Sequence, residues 1–254
     1  MLILLSPAKT LDLTPVDTTY SQPRFLDHTA ELADLLRRKS ATELGALMSI
    51  SDKLAELNYG RYQDFRLPLD AATNAKPALL TFKGDVYQDL AADDFSEREL
   101  DFANRQIRIL SGLYGLLRPR DLMHPYRLEM GTKLASERGK DLYTFWGDKL
   151  TEQLNEDLAQ DDSQLILNLA SQEYFRSLQP DRLDGRVLTV HFRELRKGRY
   201  RVITFNAKRA RGKLARLITL EGITTAEPIK ELAVNDYVYN EAESTTDDWV
   251  FTKD

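Results

Sequence analysis

Three apolar runs in this chain each end in a group of polar side chains. Ser6, Lys9 and Thr10 follow Met1–Leu5; Lys83, Asp85 and Tyr87 follow Ala78–Phe82; Asn168, Ser171 and Glu173 close or follow Leu165–Leu169. If the runs are neighbouring strands, their ends converge on one cleft, the usual ligand position in an open α/β sheet. A carboxylate there can take a proton and a lysine can hold an anion. Lys9, Asp85, Tyr87, Ser171 and Glu173 are therefore the candidates for an enzyme acting on a nucleobase or nucleotide. A structural hydrogen-bond network accounts for the same residues about as well. Tyr126-Arg127-x-Glu129 lies in a loop that can join them.

A second chemistry is anion binding. Ile107–Asp121 reads IRILSGLYGLLRPRD, with Gly112 and Gly115 three apart in an apolar run and Arg118 and Arg120 behind them. Glycine permits positive φ and close backbone approach. The stretch predicts a tight hairpin between two buried elements, with the amides of Gly112, Leu113, Tyr114 and Gly115 and the two arginines facing phosphate. A buried loop with glycines for packing is the alternative. Charge distribution favours the anion. The chain holds 35 Lys+Arg against 40 Asp+Glu, net −5, yet Gly185–Arg216 holds eleven basic residues and one acid, Glu194. The other 222 residues carry a net −15. A basic stripe on an acidic protein attracts a polyanion locally while the remainder repels it, which orients the encounter.

Other chemistries find little support. Without cysteine there are no disulfides, thiolate metal sites or cysteine nucleophiles. His28, His124 and His191 stand outside metal-ligand spacing of one another and read as structural. The acidic pairs Asp93-Asp94, Asp161-Asp162 and Asp247-Asp248 lack calcium-loop spacing and read as solvated turns. Neither a Walker A, a G-x-G-x-x-G nor a G-x-S-x-G motif occurs. Iron storage wants carboxylates or histidines concentrated on facing helices, which this pattern does not provide. No metal or cofactor is expected. The longest uncharged run, Ser163–Gln172, has ten residues, too few to span a bilayer, and no basic region precedes the apolar N-terminus. These features predict a cytoplasmic protein without membrane association.

The elements that would position these residues follow from periodicity. Met1–Leu5, Ala78–Phe82 and Leu165–Leu169 are strand candidates, with Lys83-Gly84-Asp85 an exit turn. Helices are expected over Leu26–Lys39, after the capping boxes Ser40-x-x-Glu43 and Ser96-x-x-Glu99, along Trp146–Leu158, and briefly at Ser171–Leu178. Arg186–Phe192 and Arg199–Phe205 form a hairpin around Lys197-Gly198. In the helix after it, about Asn206–Leu220, Ala207, Ala210, Leu214, Leu217 and Ile218 share one face. Lys208, Arg209, Lys213 and Arg216 spread over the opposite side, with Arg211 at the edge. Tyr237–Tyr239 and Trp249–Phe251 make a terminal hairpin. Strands and helices mix without a regular βαβ rhythm, so the expected fold is one α/β domain over residues 1–254, a mixed sheet flanked by helices.

Six ordered motifs also carry a family resemblance over essentially the full chain. They are Ser6-Pro7-Ala8-Lys9-Thr10, Phe82-x-Gly84-Asp85-Val86-Tyr87, Leu110–Pro119 with Tyr126–Thr132, Phe145-Trp146-Gly147-Asp148, Asn168-Leu169-Ala170-Ser171-x-Glu173-Tyr174-Phe175, and Ala207-Lys208-x-Ala210-Arg211-Gly212. The sequence resembles the peroxide-stress protein YaaA family. That resemblance implies a cytosolic role in surviving hydrogen peroxide by limiting free iron and Fenton damage to DNA. It also implies an α/β fold with a helix-hairpin-helix element and a basic cleft for duplex DNA. Only the glycine hairpin suits such an element, although its glycines lie three apart where the usual core has them two apart. The leading expectation is a monomeric binder of duplex, bulged or damaged DNA with little sequence preference. Gly112, Leu113, Tyr114, Gly115, Arg118, Arg120, Arg127, Lys208, Arg209, Arg211, Lys213 and Arg216 would provide the contacts. The enzyme acting on a nucleobase or nucleotide is the alternative.

Overall fold

Four consecutive apolar residues have no polar face to offer water, so Leu2–Leu5 forms a strand buried on both sides. It sits within an eight-stranded mixed sheet, in a computed structural model that describes residues 1–254. Across the sheet the strands run Val238–Tyr239, Asp248–Lys253, Arg186–Arg196, Leu165–Asn168, Leu2–Leu5, Ile107–Ser111, Gly115–Leu117, and Arg199–Arg201 folds back on Arg186–Arg196. The five strands from Asp248–Lys253 to Ile107–Ser111 are mutually parallel, and the outer strands and the fold-back strand pair antiparallel. After Leu2–Leu5 the chain first adds Ile107–Ser111 on one side. It then returns to place Leu165–Asn168 on the other. That reversal of strand order opens a crevice beyond the carboxyl ends of Leu2–Leu5 and Leu165–Asn168.

Both expected capping boxes start helices, Ala41–Met48 from Ser40 and Glu97–Gln106 from Ser96. The basic helix runs Thr204–Glu221. The Trp146–Leu158 segment is two helices, Leu142–Trp146 and Lys149–Leu158, broken at Gly147. Sixty-three buried residues form one continuous core, with Trp146, Tyr62 and Tyr114 among its largest members. No helix is long and apolar enough to cross a membrane.

Two expectations fail for physical reasons. Ala78–Phe82 is not a strand: Ala78–Thr81 is a buried helical turn, and only Phe82–Lys83 is extended, pairing with Thr10–Leu11. An apolar run of five carries no period that separates the two states. Thr81 settles the choice locally by donating its hydroxyl to the Pro77 carbonyl at 2.8 Å. The glycine stretch is a hairpin, but between strands, and it lies inside the molecule. Ile107–Ser111 pairs back on Gly115–Leu117, and Gly112, Leu113, Tyr114 and Gly115 are all buried. Gly115 adopts φ +74°, and a Cβ at Gly112 would lie 2.3 Å from the Leu128 carbonyl oxygen. The glycines serve a turn and a close packing contact, and the segment is a buried hairpin of two strands rather than a helix-hairpin-helix.

Candidate functional site

The crevice at the strand reversal is a cavity of about 410 Å³. Ser6 leaves the first strand, and its hydroxyl accepts the Ser171 backbone N–H at 2.8 Å, tying the ends of the two neighbouring strands together. Tyr87, on the helix Asp85–Leu90, donates its hydroxyl to the Ser6 carbonyl at 2.9 Å. Lys9 and Arg127 converge on one Glu129 oxygen, at 2.8 and 2.9 Å. Glu173 accepts the Gly131 N–H at 2.9 Å. Lys208 of the basic helix stands 3.8 Å from Asp85. Arg211, one turn further along, lines the same cavity.

All five expected catalytic candidates, Lys9, Asp85, Tyr87, Ser171 and Glu173, thus surround one space, together with Arg127, Lys208 and Arg211. Sequence reasoning passed over Tyr174 and gave Tyr126 no part of its own; both also line the cavity. Burial pushes the phenols of Tyr87, Tyr126 and Tyr174 above their ordinary range, so all three stay protonated donors at neutral pH. Burial likewise lowers the pKa of Arg211. Its Nε is enclosed without a hydrogen-bond partner, as is the Nε of Arg127.

Of the other cations expected to contact phosphate, all but Lys213 have partners within the protein. Arg118 pairs with the fully buried Asp121 at 2.8 Å and also donates to the Gln22 carbonyl. Arg120 is buried and bonds Glu97, Asp101, Thr18 and the Thr19 carbonyl. On the basic helix, Arg209 holds Asp89 at 2.9 Å. Arg216 caps the helix Asp85–Leu90 through the Leu90 and Ala91 carbonyls, reaches Asp94 at 3.6 Å and stacks over Phe95. Lys213 is half-buried without an ion pair. The acidic pairs also have partners: Asp93 takes Lys83, Asp247 takes Arg186, and Asp161 takes the N-terminal amine. His124 bonds two carbonyls, and His28 lies among Phe25, Phe145 and Trp146. No group of three or more His, Cys, Asp or Glu side chains is arranged to hold a metal ion.

These features define an α/β protein whose charged cleft lies where the strand order reverses. Over residues 1–243 the chain matches the family described as peroxide stress protein YaaA, and it belongs to that family. It is 48% identical over 256 aligned residues to a UPF0246 protein of Cellvibrio japonicus (strain Ueda107). With a UPF0246 protein of Teredinibacter turnerae (strain ATCC 39867 / T7901) the identity is 49% over 255. Each comparison covers 100% of this chain and 99% of the relative.

Proposed function

We propose that this chain acts in the cytoplasm during peroxide stress as a monomeric DNA-binding protein that receives an unpaired or bulged nucleotide in the strand-end cleft. Binding at such lesions would limit Fenton damage at the DNA itself. The observation that carries this proposal is the convergence of Lys9, Asp85, Arg127, Glu173, Lys208 and Arg211 on one 410 Å³ cavity. A double helix does not fit such a space, but one extruded nucleotide does, and an unpaired nucleotide leaves the stack at least cost. Contacts of this kind need little sequence preference. The test is equilibrium binding of a duplex against the same duplex with a single-nucleotide bulge, at fixed salt. At least about tenfold tighter binding of the bulged form is expected, since an extruded nucleotide adds charge-assisted contacts of roughly 1.4 kcal/mol or more. Equal affinity for the two overturns the proposal.

A second reading places chemistry on the nucleobase in the same cleft. It is favoured by Glu173, held by a backbone N–H at 2.9 Å and without an ion pair, and by Asp85, only loosely paired at 3.8 Å. Such carboxylates can act as general base. Substitution of these two residues separates the readings.

A further inference from the structure

We infer that Arg211 receives one phosphate group and that the cleft takes a free nucleoside monophosphate, not only a nucleotide within a strand. This rests on the cleft being a nucleotide site and adds the form of its ligand. The charges inside the cavity largely cancel. Lys9 and Arg127 share Glu129, and Lys208 faces Asp85. Arg211 has no carboxylate partner, and its Nε is buried without a hydrogen bond. An unpaired guanidinium drawn partly out of water is a standing cost that an anionic ligand removes. A polymer backbone calls for a row of such cations, whereas this cavity offers one.

The backbone that carries that cation is fixed. The next residue, Gly212, packs so closely that a Cβ there would lie 1.8 Å from the Val86 carbonyl oxygen, and Ala210 and Leu214 are buried beside it. A guanidinium can offer two parallel N–H donors to a phosphate monoester. In the same cavity, Glu173 and Asp85 are acceptors for ring and exocyclic N–H groups of an amino-bearing base. The cavity volume of about 410 Å³ lies in the range that encloses a ligand of this size.

The experiment is calorimetric titration of the full chain with AMP and GMP, and with adenosine and guanosine. Monophosphates are expected to bind at least about tenfold tighter than their nucleosides. Arg211→Gln is expected to erase that difference while melting like the wild type. Binding without preference for the phosphate, or no monophosphate binding, overturns the inference, and this comparison needs no variant. Discrimination that survives in a folded Arg211→Gln protein overturns it as well. Parallel titration with bulged duplex separates the two proposals. Bulge-selective DNA binding without monophosphate binding defeats the free-ligand inference and leaves the DNA proposal standing. Phosphate-dependent mononucleotide binding without bulge selectivity does the reverse.

Discussion

Glu129 bridges two cations of the cleft at once, which leaves Asp85 and Glu173 as the carboxylates with the most freedom to act. Asp85→Asn and Glu173→Gln test what they do. Each variant keeps an acceptor oxygen and loses negative charge. A protein that only binds should hold bulged DNA within about threefold of wild type, or slightly tighter, a change below 1 kcal/mol. It should also still restore peroxide survival to a deletion strain. Folded variants that bind DNA yet fail to restore survival would shift the assignment to the enzyme, because loss of a general base stops turnover without dissolving the complex. The buried hairpin provides a separate residue-scale test. Valine at Gly115 forces a side chain into φ +74° and within 2.8 Å of Trp146, and valine at Gly112 drives into the Leu128 carbonyl. Each should cost about 1–3 kcal/mol in thermal unfolding; wild-type stability in either would contradict the hairpin geometry. The site was legible because polar residues directly after apolar runs are a local signal. The hairpin's burial was not legible, since apolar residues flank its glycines in either setting and only the long-range contact with Leu128 distinguishes them.

The elements show the same division between local and distant information. Ser40 and Ser96 announced their helices through the capping box alone, and both boxes form. Ala78–Phe82 misled because its apolar run has no period, and the turn was decided by Thr81 bonding back to Pro77. The helical wheel placed Arg211 at the edge of the basic helix. That edge is what faces the cleft once Gly212 lets the helix settle onto Asp85–Leu90. A further junction joins three elements: Asp157 on the helix Lys149–Leu158 bonds Arg108 on the strand Ile107–Ser111 and Arg24, ahead of the first helix, at 2.7 Å. Burial raises the Asp157 pKa, but the two guanidinium groups outweigh it and hold the carboxyl below its ordinary value of 3.8. A depressed folded pKa gives stability that is present above the unfolded value and lost as pH falls through the folded one. Asp157→Asn should therefore cost about 3 kcal/mol near pH 7, the scale of breaking a buried pair. The gap to wild type should narrow below about pH 4. Denaturant unfolding at both pH values measures it, and a gap unchanged by acid would mean the carboxylate's charge is not what stabilises the junction.

On the scale of the whole molecule, the basic window of an acidic chain suggested a long phosphate track, and the fold uses much of it internally. Of the eleven basic residues in Gly185–Arg216, six pair with acids: Arg186 with Asp247, Arg193 with Glu243, Arg196 with Glu194, Lys208 with Asp85, Arg209 with Asp89 and Arg216 with Asp94. Composition could not reveal this, because every partner except Glu194 comes from a distant part of the sequence. Five bases stand outside ion pairs, Lys197, Arg199 and Arg201 on the exposed hairpin and Arg211 and Lys213 on the helix. The salt dependence of DNA binding counts how many of these meet phosphate. Each neutralised phosphate contributes about −0.9 to the slope of log K against log salt. Eleven free bases would give about −10, whereas the five unpaired ones alone would give about −4.5. With Arg211 inside the cleft and its neighbours spread over two elements, a slope of about −3 to −4 is expected for bulged duplex. A slope steeper than about −6 would mean that the internal ion pairs open to release their arginines to DNA. A flat response would remove phosphate attraction from the account altogether.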